Sequence, residues 1–282
     1  AGEWELRCTI ADYLHQARGV LTSPEQIIVG AGNDFLLMLL CVLLGNGRIL
    51  AMESPTYRKA YELFDSLSCT VRIAGLDESG MRIDSLEKTG ADLAYVMPSH
   101  QYPLGIVMPV KRRMQLLEWA AQKEGRYIIE DDYDSEFRYR GKPIPALAGY
   151  DRRGKVIYIG TFSKSIAPAI RVSYMVLPES LMGIYDRRGR RISSTISRVD
   201  QLLIARFLNE GYYERHLNKM RAVYKSRHDA LLEAMKPFRK ILTVSGENAG
   251  VHLLLNFQNG MTEEEEVSRA GAEGGEVNGM SR

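Results

Sequence analysis

The sequence predicts an α/β fold whose sheet is mostly parallel and covered by helices, and three observations carry the prediction. Short β-rich runs alternate with helical patterns from residue 27 to about 177; the strand candidates are apolar almost throughout; and after Pro178 the texture changes to one long amphipathic pattern. Continuous apolar strands are buried on both faces, so helices must lie above and below the sheet. Ligands of such sheets sit at the carboxyl ends of the strands.

In chain order, strands are expected at 48–52, 70–73, 93–97, 126–130, 156–160 and 171–176, and helices at 34–44, 57–67 and 111–123. Farther on, Tyr213, Leu217, Met220, Tyr224, Leu231 and Met235 recur at steps of three, four or seven, which predicts one helix over 212–235. A strand is expected at 251–255. Glu265 stands three places after Thr262, the spacing of a capping box, so the Glu263–Glu266 run is read as a helix start and not as an acidic binding surface. The glycine-rich stretch 271–279 has neither a partner strand nor a closing helix after it, and the chain is expected to stop mid-domain. Three parts follow: an N-terminal helical segment at 1–20, a large α/β domain at 21–190, and a long helix with an incomplete smaller α+β domain at 191–282.

The 282 residues suffice for a large core, and 45% apolar with 26% charged residues is ordinary for a soluble globular chain. A net charge of +2, with acids and bases interspersed, gives no footprint for nucleic acid, so direct DNA contact by this chain is not expected. Cys8, Cys41 and Cys69 are odd in number and set among apolar residues, which suits reduced thiols of a cytoplasmic protein. The run 35–44 is half the roughly 20 residues a bilayer crossing needs, and the N-terminus lacks a signal-peptide pattern, so neither membrane insertion nor export is expected.

The central motif is Gly-Thr-Phe-Ser-Lys-Ser-Ile-Ala-Pro-Ala-Ile-Arg at 160–171, between two expected strands. A strand-end crevice lined by Thr161, Phe162 and Ser163 can desolvate Lys164 and make its amine useful near neutral pH. Arg171 and the hydroxyls of Thr161 and Ser163 are donors suited to a phosphate dianion. Taken alone, a loop lysine is a solvated surface residue. A second motif, Ile-Ile-Glu-Asp-Asp-Tyr-Asp at 128–134, is an apolar strand ending in carboxylates, where Asp131 or Asp132 can face a pyridine nitrogen and keep it protonated. The plain alternative for these acids is a helix cap or a solvated turn; the sharper one, a magnesium or calcium site, lacks the spacing of a calcium loop. Third, Val-Gly-Ala-Gly-Asn-Asp at 29–34 runs into a helix start, where free amides of Gly32, Asn33 and Asp34 can bind phosphate, although the pattern matches no nucleotide fingerprint. Tyr57 and the turn 98–105, with His100 and Gln101, follow strands and point to the same crevice; singly, such residues are a core aromatic and a satisfied histidine.

These five segments, in this order, resemble the fold type I enzymes that use pyridoxal 5'-phosphate (PLP), and most closely the aminotransferase-like domain of MocR-type regulators in the GntR superfamily. The resemblance rests on Arg18-Gly-Val, Ser-His-Gln-Tyr-Pro-Leu-Gly at 99–105, Glu-Asp-Asp-Tyr-Asp-Ser-Glu-Phe-Arg-Tyr at 130–139, Tyr-Ile-Gly-Thr-Phe-Ser-Lys at 158–164 and Glu-Arg-His-Leu-Asn-Lys-Met-Arg at 214–221. It implies a mostly parallel seven-stranded-type sheet and a Schiff base on Lys164. It pairs Asp131 with the pyridine nitrogen, sets Tyr133 on the ring hydroxyl and stacks Tyr57 on the ring. The phosphate falls to Thr161, Ser163, Arg171 and the amides of Gly32, Asn33 and Asp34. His100 and Gln101 take the place of an Asn-Pro-Thr-Gly-like turn, with Tyr102 before Pro103 where many aminotransferases have asparagine.

Regulators of this type begin with a winged helix-turn-helix, and the full aminotransferase fold continues past residue 282; the chain reads as lacking both. Two functions are therefore carried forward. In one, the domain is a sensor in which PLP on Lys164 passes to an amino compound as an external aldimine, DNA being reached only through the missing winged helix. In the other, it is a working transaminase between an amino acid and a 2-oxo acid, with Lys164 moving the proton. A hydrolase using Thr161 and Lys164, spaced as in Ser-x-x-Lys, leaves Asp131 and Arg171 without a role. A homodimer is expected, because related folds build the pocket from two subunits.

Overall fold

The computed structural model describes residues 1–67, 69–139, 144–247 and 249–280. Helix α1 (Trp4–Arg18) buries Leu6, Ile10 and Leu14, spaced by four. The chain then alternates through β1 (Ile27–Gly30), α2 (Asn33–Leu44), β2 (Ile49–Glu53), α3 (Arg58–Ser66) and β3 (Thr70–Ala74). A small hairpin of β4 (Leu76–Asp77) and β5 (Gly80–Met81) leads to α4 (Ile83–Thr89), β6 (Leu93–Val96), α5 (Val110–Ala121), β7 (Tyr127–Asp132), β8 (Val156–Thr161) and β9 (Ser173–Val176). Helices α6 (Glu179–Arg188), α7 (Arg198–Asn209) and α8 (Tyr212–Met235) follow, then the antiparallel pair β10 (Leu242–Ser245) and β11 (Leu254–Phe257), and α9 (Glu263–Ala272).

Seven strands form one sheet in the order β1-β9-β8-β7-β6-β2-β3. From β3 through β8 neighbouring strands are parallel, while β9 runs antiparallel to both β8 and β1. Alternate residues of one strand serve different cores. Met52, Tyr95 and Ile129 pack with α2 and α3, whereas Ala51, Ala94 and Ile128 pack beneath Leu116 and Trp119 of α5. Both faces are thus apolar, which is why the strands read as continuous runs and not as an alternation. A further core joins α1, α7 and α8 through Leu14, Ile204, Tyr213 and Leu217.

The expected elements are present with shifted ends. The 126–130 strand runs on through Asp132, so its first acids lie inside the sheet; the strand expected from 171 starts at Ser173, because Arg171 takes a left-handed backbone with φ 47°. The strand expected at 251–255 is Leu254–Phe257. Thr262 and Glu265 form the expected capping box on α9. Cysteines 28 residues apart meet: Cys41 Sγ lies 3.8 Å from Cys69 Sγ. Among the described residues no helix is long and apolar enough to cross a membrane.

Candidate functional site

The carboxyl ends of β6, β7 and β8 and the start of α2 open on one cavity of about 250 Å³. Gly32, Asn33, Asp34, Tyr57, Asp131, Tyr133, Thr161, Ser163, Lys164 and Arg171 line it, together with Met97, Tyr102 and Ser173. Ten of the residues singled out in the sequence therefore converge there, from segments up to 139 positions apart. Gln101 and His100 do not line it. Gln101 is buried, its amide donating to the Pro55 carbonyl at 2.8 Å, and His100 is buried behind Tyr133.

The pleat of β7 sorts its acids. Asp131 points to the cavity, where Asn33 Nδ2 donates to Oδ1 at 3.0 Å and the Tyr95 hydroxyl to Oδ2 at 2.5 Å. Burial pushes its carboxyl up to about 6, although those two hydrogen bonds pull it down. Asp132, one residue on, turns to the other face. There its Oδ2 receives Arg18 Nε at 2.8 Å, the Tyr158 hydroxyl at 2.6 Å and the Ser135 hydroxyl at 2.9 Å. Burial would raise this carboxyl; the Arg18 guanidinium together with hydrogen bonds from Tyr158, Ser99 and Ser135 outweighs it and holds the group below the ordinary aspartate range. The choice between Asp131 and Asp132 is thus made by strand parity. Glu130, on the Asp132 face, accepts the amides of Leu147 and Ala148, the first residues of a short 3-10 helix (Leu147–Tyr150), at 2.7 Å each, so one acid does cap a helix start. No acid of the four is solvated: Glu130, Asp131, Asp132 and Asp134 are all buried.

The cavity is also lined by Arg171 and the first turn of α2. Asn33 and Asp34 are the first two helical residues, whose amides have no partner within the helix, whereas the Gly32 amide already donates to Gly30 O at 2.9 Å. Gly32 has φ +87°, and a Cβ there would stand 2.5 Å from an Arg171 nitrogen. Arg171 lies 3.4 Å from Asp34, is exposed, and lines the cavity. The two hydroxyls of the lysine loop differ. Thr161 Oγ1 accepts Ser163 N at 3.1 Å and the Ser173 hydroxyl at 2.8 Å and donates to Val172 O at 3.4 Å, whereas Ser163 Oγ is buried with no partner. Lys164, next in the loop, is exposed on the cavity wall. Tyr57 meets Tyr102 edge to face, centroids 5.9 Å apart, and burial raises the Tyr57 phenol.

Behind Tyr133 lies a polar cluster the sequence did not reveal as a unit. His100 Nδ1 is 2.9 Å from Asp134 Oδ2 and 3.1 Å from the Tyr133 hydroxyl, and the His252 ring lies 4.6 Å from that of His100. Burial, then His100, lowers the His252 imidazole. His100, Asp134 and His252 offer ligand atoms within 4.8 Å of one another. A Cβ at Gly250 would stand 2.2 Å from His100 Nδ1 and 2.6 Å from Asp134 Oδ2, so only glycine fits against this cluster.

A family model described as aminotransferase class I and II matches residues 1–274. The chain is 41% identical over 274 residues to an HTH-type transcriptional regulator YdeL of Bacillus subtilis, covering 95% of this chain and 58% of that protein. It is 34% identical over 279 residues to a probable rhizopine catabolism regulatory protein MocR of Rhizobium meliloti, covering 98% and 56%. The chain thus spans little more than half the length of these relatives. Among solved structures it is similar to the multiple substrate aminotransferase of Thermococcus profundus, with TM-score 0.86, 29% identity, and 98% and 71% of the two chains covered. The kynurenine aminotransferase of Pyrococcus horikoshii, solved with PMP, matches with TM-score 0.85, 29% identity, and 98% and 70% coverage.

Proposed function

The chain belongs to the aminotransferase class I and II family, and from that premise we propose that it is the PLP-binding, ligand-sensing domain of a MocR-type regulator, with Lys164 as the residue that bonds the cofactor. The family's cofactor is pyridoxal 5'-phosphate, and the donor set fits it. Ser163 Oγ is a buried hydroxyl without a partner, Arg171, Asn33 and Asp34 line the same space, and Asp131 is a buried carboxylate on its wall. When bound, PLP supplies an aldehyde that condenses with amines and a pyridine ring that accepts electrons.

The protein's part is placement. Arg171, Ser163 and the start of α2 would hold the phosphate, and Asp131 a protonated ring nitrogen, its negative charge oriented by Asn33 and Tyr95. Tyr57 would cover the ring and Tyr133 reach its hydroxyl. Lys164 would present its amine at the aldehyde and give up that position to an incoming amino compound. Thr161 serves inside the loop, tying the Ser163 amide to β9 through Ser173. A homodimer completing the pocket, and DNA reached through a separate winged helix, belong to the same reading.

The observation that carries it is the convergence of Lys164, Asp131 and Arg171 on one cavity. A visible absorption spectrum with added PLP tests it: the wild-type chain should gain a band that Lys164→Ala lacks. If both variants give the spectrum of free PLP, the reading fails. The rival, a transaminase, is favoured by the similarity to aminotransferase structures. Amino acids that shift the band with no keto-acid turnover support the sensor; steady turnover supports the enzyme.

A further inference from the structure

The nitrogen His100 Nδ1 faces two oxygens at once, Asp134 Oδ2 at 2.9 Å and the Tyr133 hydroxyl at 3.1 Å. A ring nitrogen carries either one hydrogen or one lone pair. A lone pair would confront the carboxylate's own lone pairs, so a hydrogen sits on Nδ1 and points at Asp134. His100 Nε2 is buried with no partner. Nδ1 then offers the Tyr133 hydroxyl no lone pair, and the Tyr133 oxygen can at most share the hydrogen that points at Asp134. Among the described residues its own hydrogen meets no acceptor on that side and turns into the cavity that Tyr133 lines.

We propose that Asp134 and His100 are a positioning pair that fixes the direction of the Tyr133 hydroxyl hydrogen, making Tyr133 an obligate donor to the ring oxygen of a molecule bound in the cavity. This rests on the reading of the cavity as a PLP site. The pair is built to stay dry: both side chains are 1% exposed. Gly250, with φ +78°, covers them, and a Cβ there would stand 2.0 Å from His100 Cε1 and 2.6 Å from Asp134 Oδ2. The Gly250 amide is pinned to Phe137 O at 2.7 Å. The titratable groups whose charge acts on Tyr133 are Asp134, Asp131, Tyr102 and, from the other face of β7, Asp132, with His100 in contact; those facing His100 are Asp134, Tyr133 and His252, with Lys164 near His252. Low dielectric strengthens the Asp134 contact.

The test uses the full chain with PLP and reads the pH midpoint of the visible band. A donor to the ring oxygen stabilises the form with more negative charge on it, so losing the donor raises the midpoint. Tyr133→Phe should raise it by about one to two pH units, the size of a hydrogen bond to a charged group. His100→Leu and Asp134→Leu should move it in the same direction, and Tyr133→Phe combined with His100→Leu should add nothing beyond Tyr133→Phe. Asp134→Asn, which keeps an acceptor for Nδ1–H, should restore most of the wild-type midpoint. A second readout needs no cofactor: nitrogen-15 spectra of histidine-labelled protein should show His100 protonated at Nδ1, with the tautomer lost in Asp134→Leu. The proposal is overturned if Tyr133→Phe moves the midpoint and the His100 and Asp134 variants do not, if none of them moves it, or if Nδ1 carries the lone pair. If the wild type gains no band while the Nδ1–H signal is present, the cofactor reading has failed, and with it the Tyr133 donor role.

Discussion

Asn33 Nδ2 donates to Asp131 Oδ1 across 3.0 Å, tying the first residue of α2 to the inner end of β7. Together with the Tyr95 hydroxyl at 2.5 Å, it fixes a carboxylate that no cation of the described residues reaches within ion-pair distance. Without a cationic ligand, that carboxylate is a liability. Its folded pKa, about 6, lies above the unfolded value, so its contribution to stability is complete below pH 4 and is lost as pH rises through 6. At pH 8 the ionised group costs at most about 3 kcal/mol, from roughly two pH units at 1.36 kcal/mol each. Asp131→Asn should therefore raise the melting temperature of the cofactor-free chain at pH 8 and leave it unchanged near pH 4. Glu53, pushed up to about 7 by burial, slopes the same way, so only the difference between the two chains isolates Asp131. The same variant should bind PLP more weakly, an exchange of stability for function.

Arg18 and Asp132 form the opposite case, a buried pair on the far face of β7. Arg18 also donates to Ser99 Oγ at 2.8 Å and to the Ile144 carbonyl at 3.2 Å. Arg18→Ala strands a buried carboxylate and should cost about 3 to 5 kcal/mol in urea unfolding at pH 7. Arg18 holds the folded Asp132 carboxyl low and burial raises it once Arg18 is gone, so the difference from wild type should shrink as pH falls through the variant's raised carboxyl pKa toward the wild type's lowered one.

How much of this was legible follows from where each signal lies. The apolar strands, the long helix and the lysine loop are local patterns, and the crevice residues were found because each follows a strand. Parity on β7 was readable in principle: in a two-residue period, Asp131 must face away from Glu130 and Asp132. The partners were not. Arg18 meets Asp132 114 residues away, and His252 reaches His100 from a segment the sequence read only as a strand. The strand β1 escaped notice because its four residues end in the glycines that drew attention to the helix start. His100 was expected in the cavity, and its place behind Tyr133 depends on tertiary packing that spacing does not encode.

Gly32 links backbone geometry to anion binding. Its φ of +87° with ψ 168° lies in a region open essentially to glycine, and a Cβ would stand 2.5 Å from the Arg171 guanidinium. Gly32→Ala should push Arg171 aside and weaken PLP binding by about tenfold or more, roughly 1.4 kcal/mol. Pyridoxal, which lacks the phosphate, should bind both forms alike in an absorbance titration. Equal losses for both molecules would show that the substitution damages the cavity and not the phosphate end.

Two hydroxyls of one loop should respond with opposite signs. Ser163 Oγ is buried and unpartnered, so in the cofactor-free chain Ser163→Ala removes an unmet polar group and should stabilise by about 1 kcal/mol. Thr161 Oγ1 holds the Ser163 amide and the Ser173 hydroxyl, and Thr161→Ala orphans both, so it should destabilise by about 1 to 3 kcal/mol. Adding saturating PLP reverses the first effect and leaves the second, because a ligand that binds only the folded chain stabilises in proportion to its affinity. Ser163→Ala should gain less in melting temperature from PLP than wild type does. Thermal unfolding of the three chains, each with and without PLP, checks the signs; a Ser163→Ala chain that gains as much from PLP as wild type would remove Ser163 from the phosphate site.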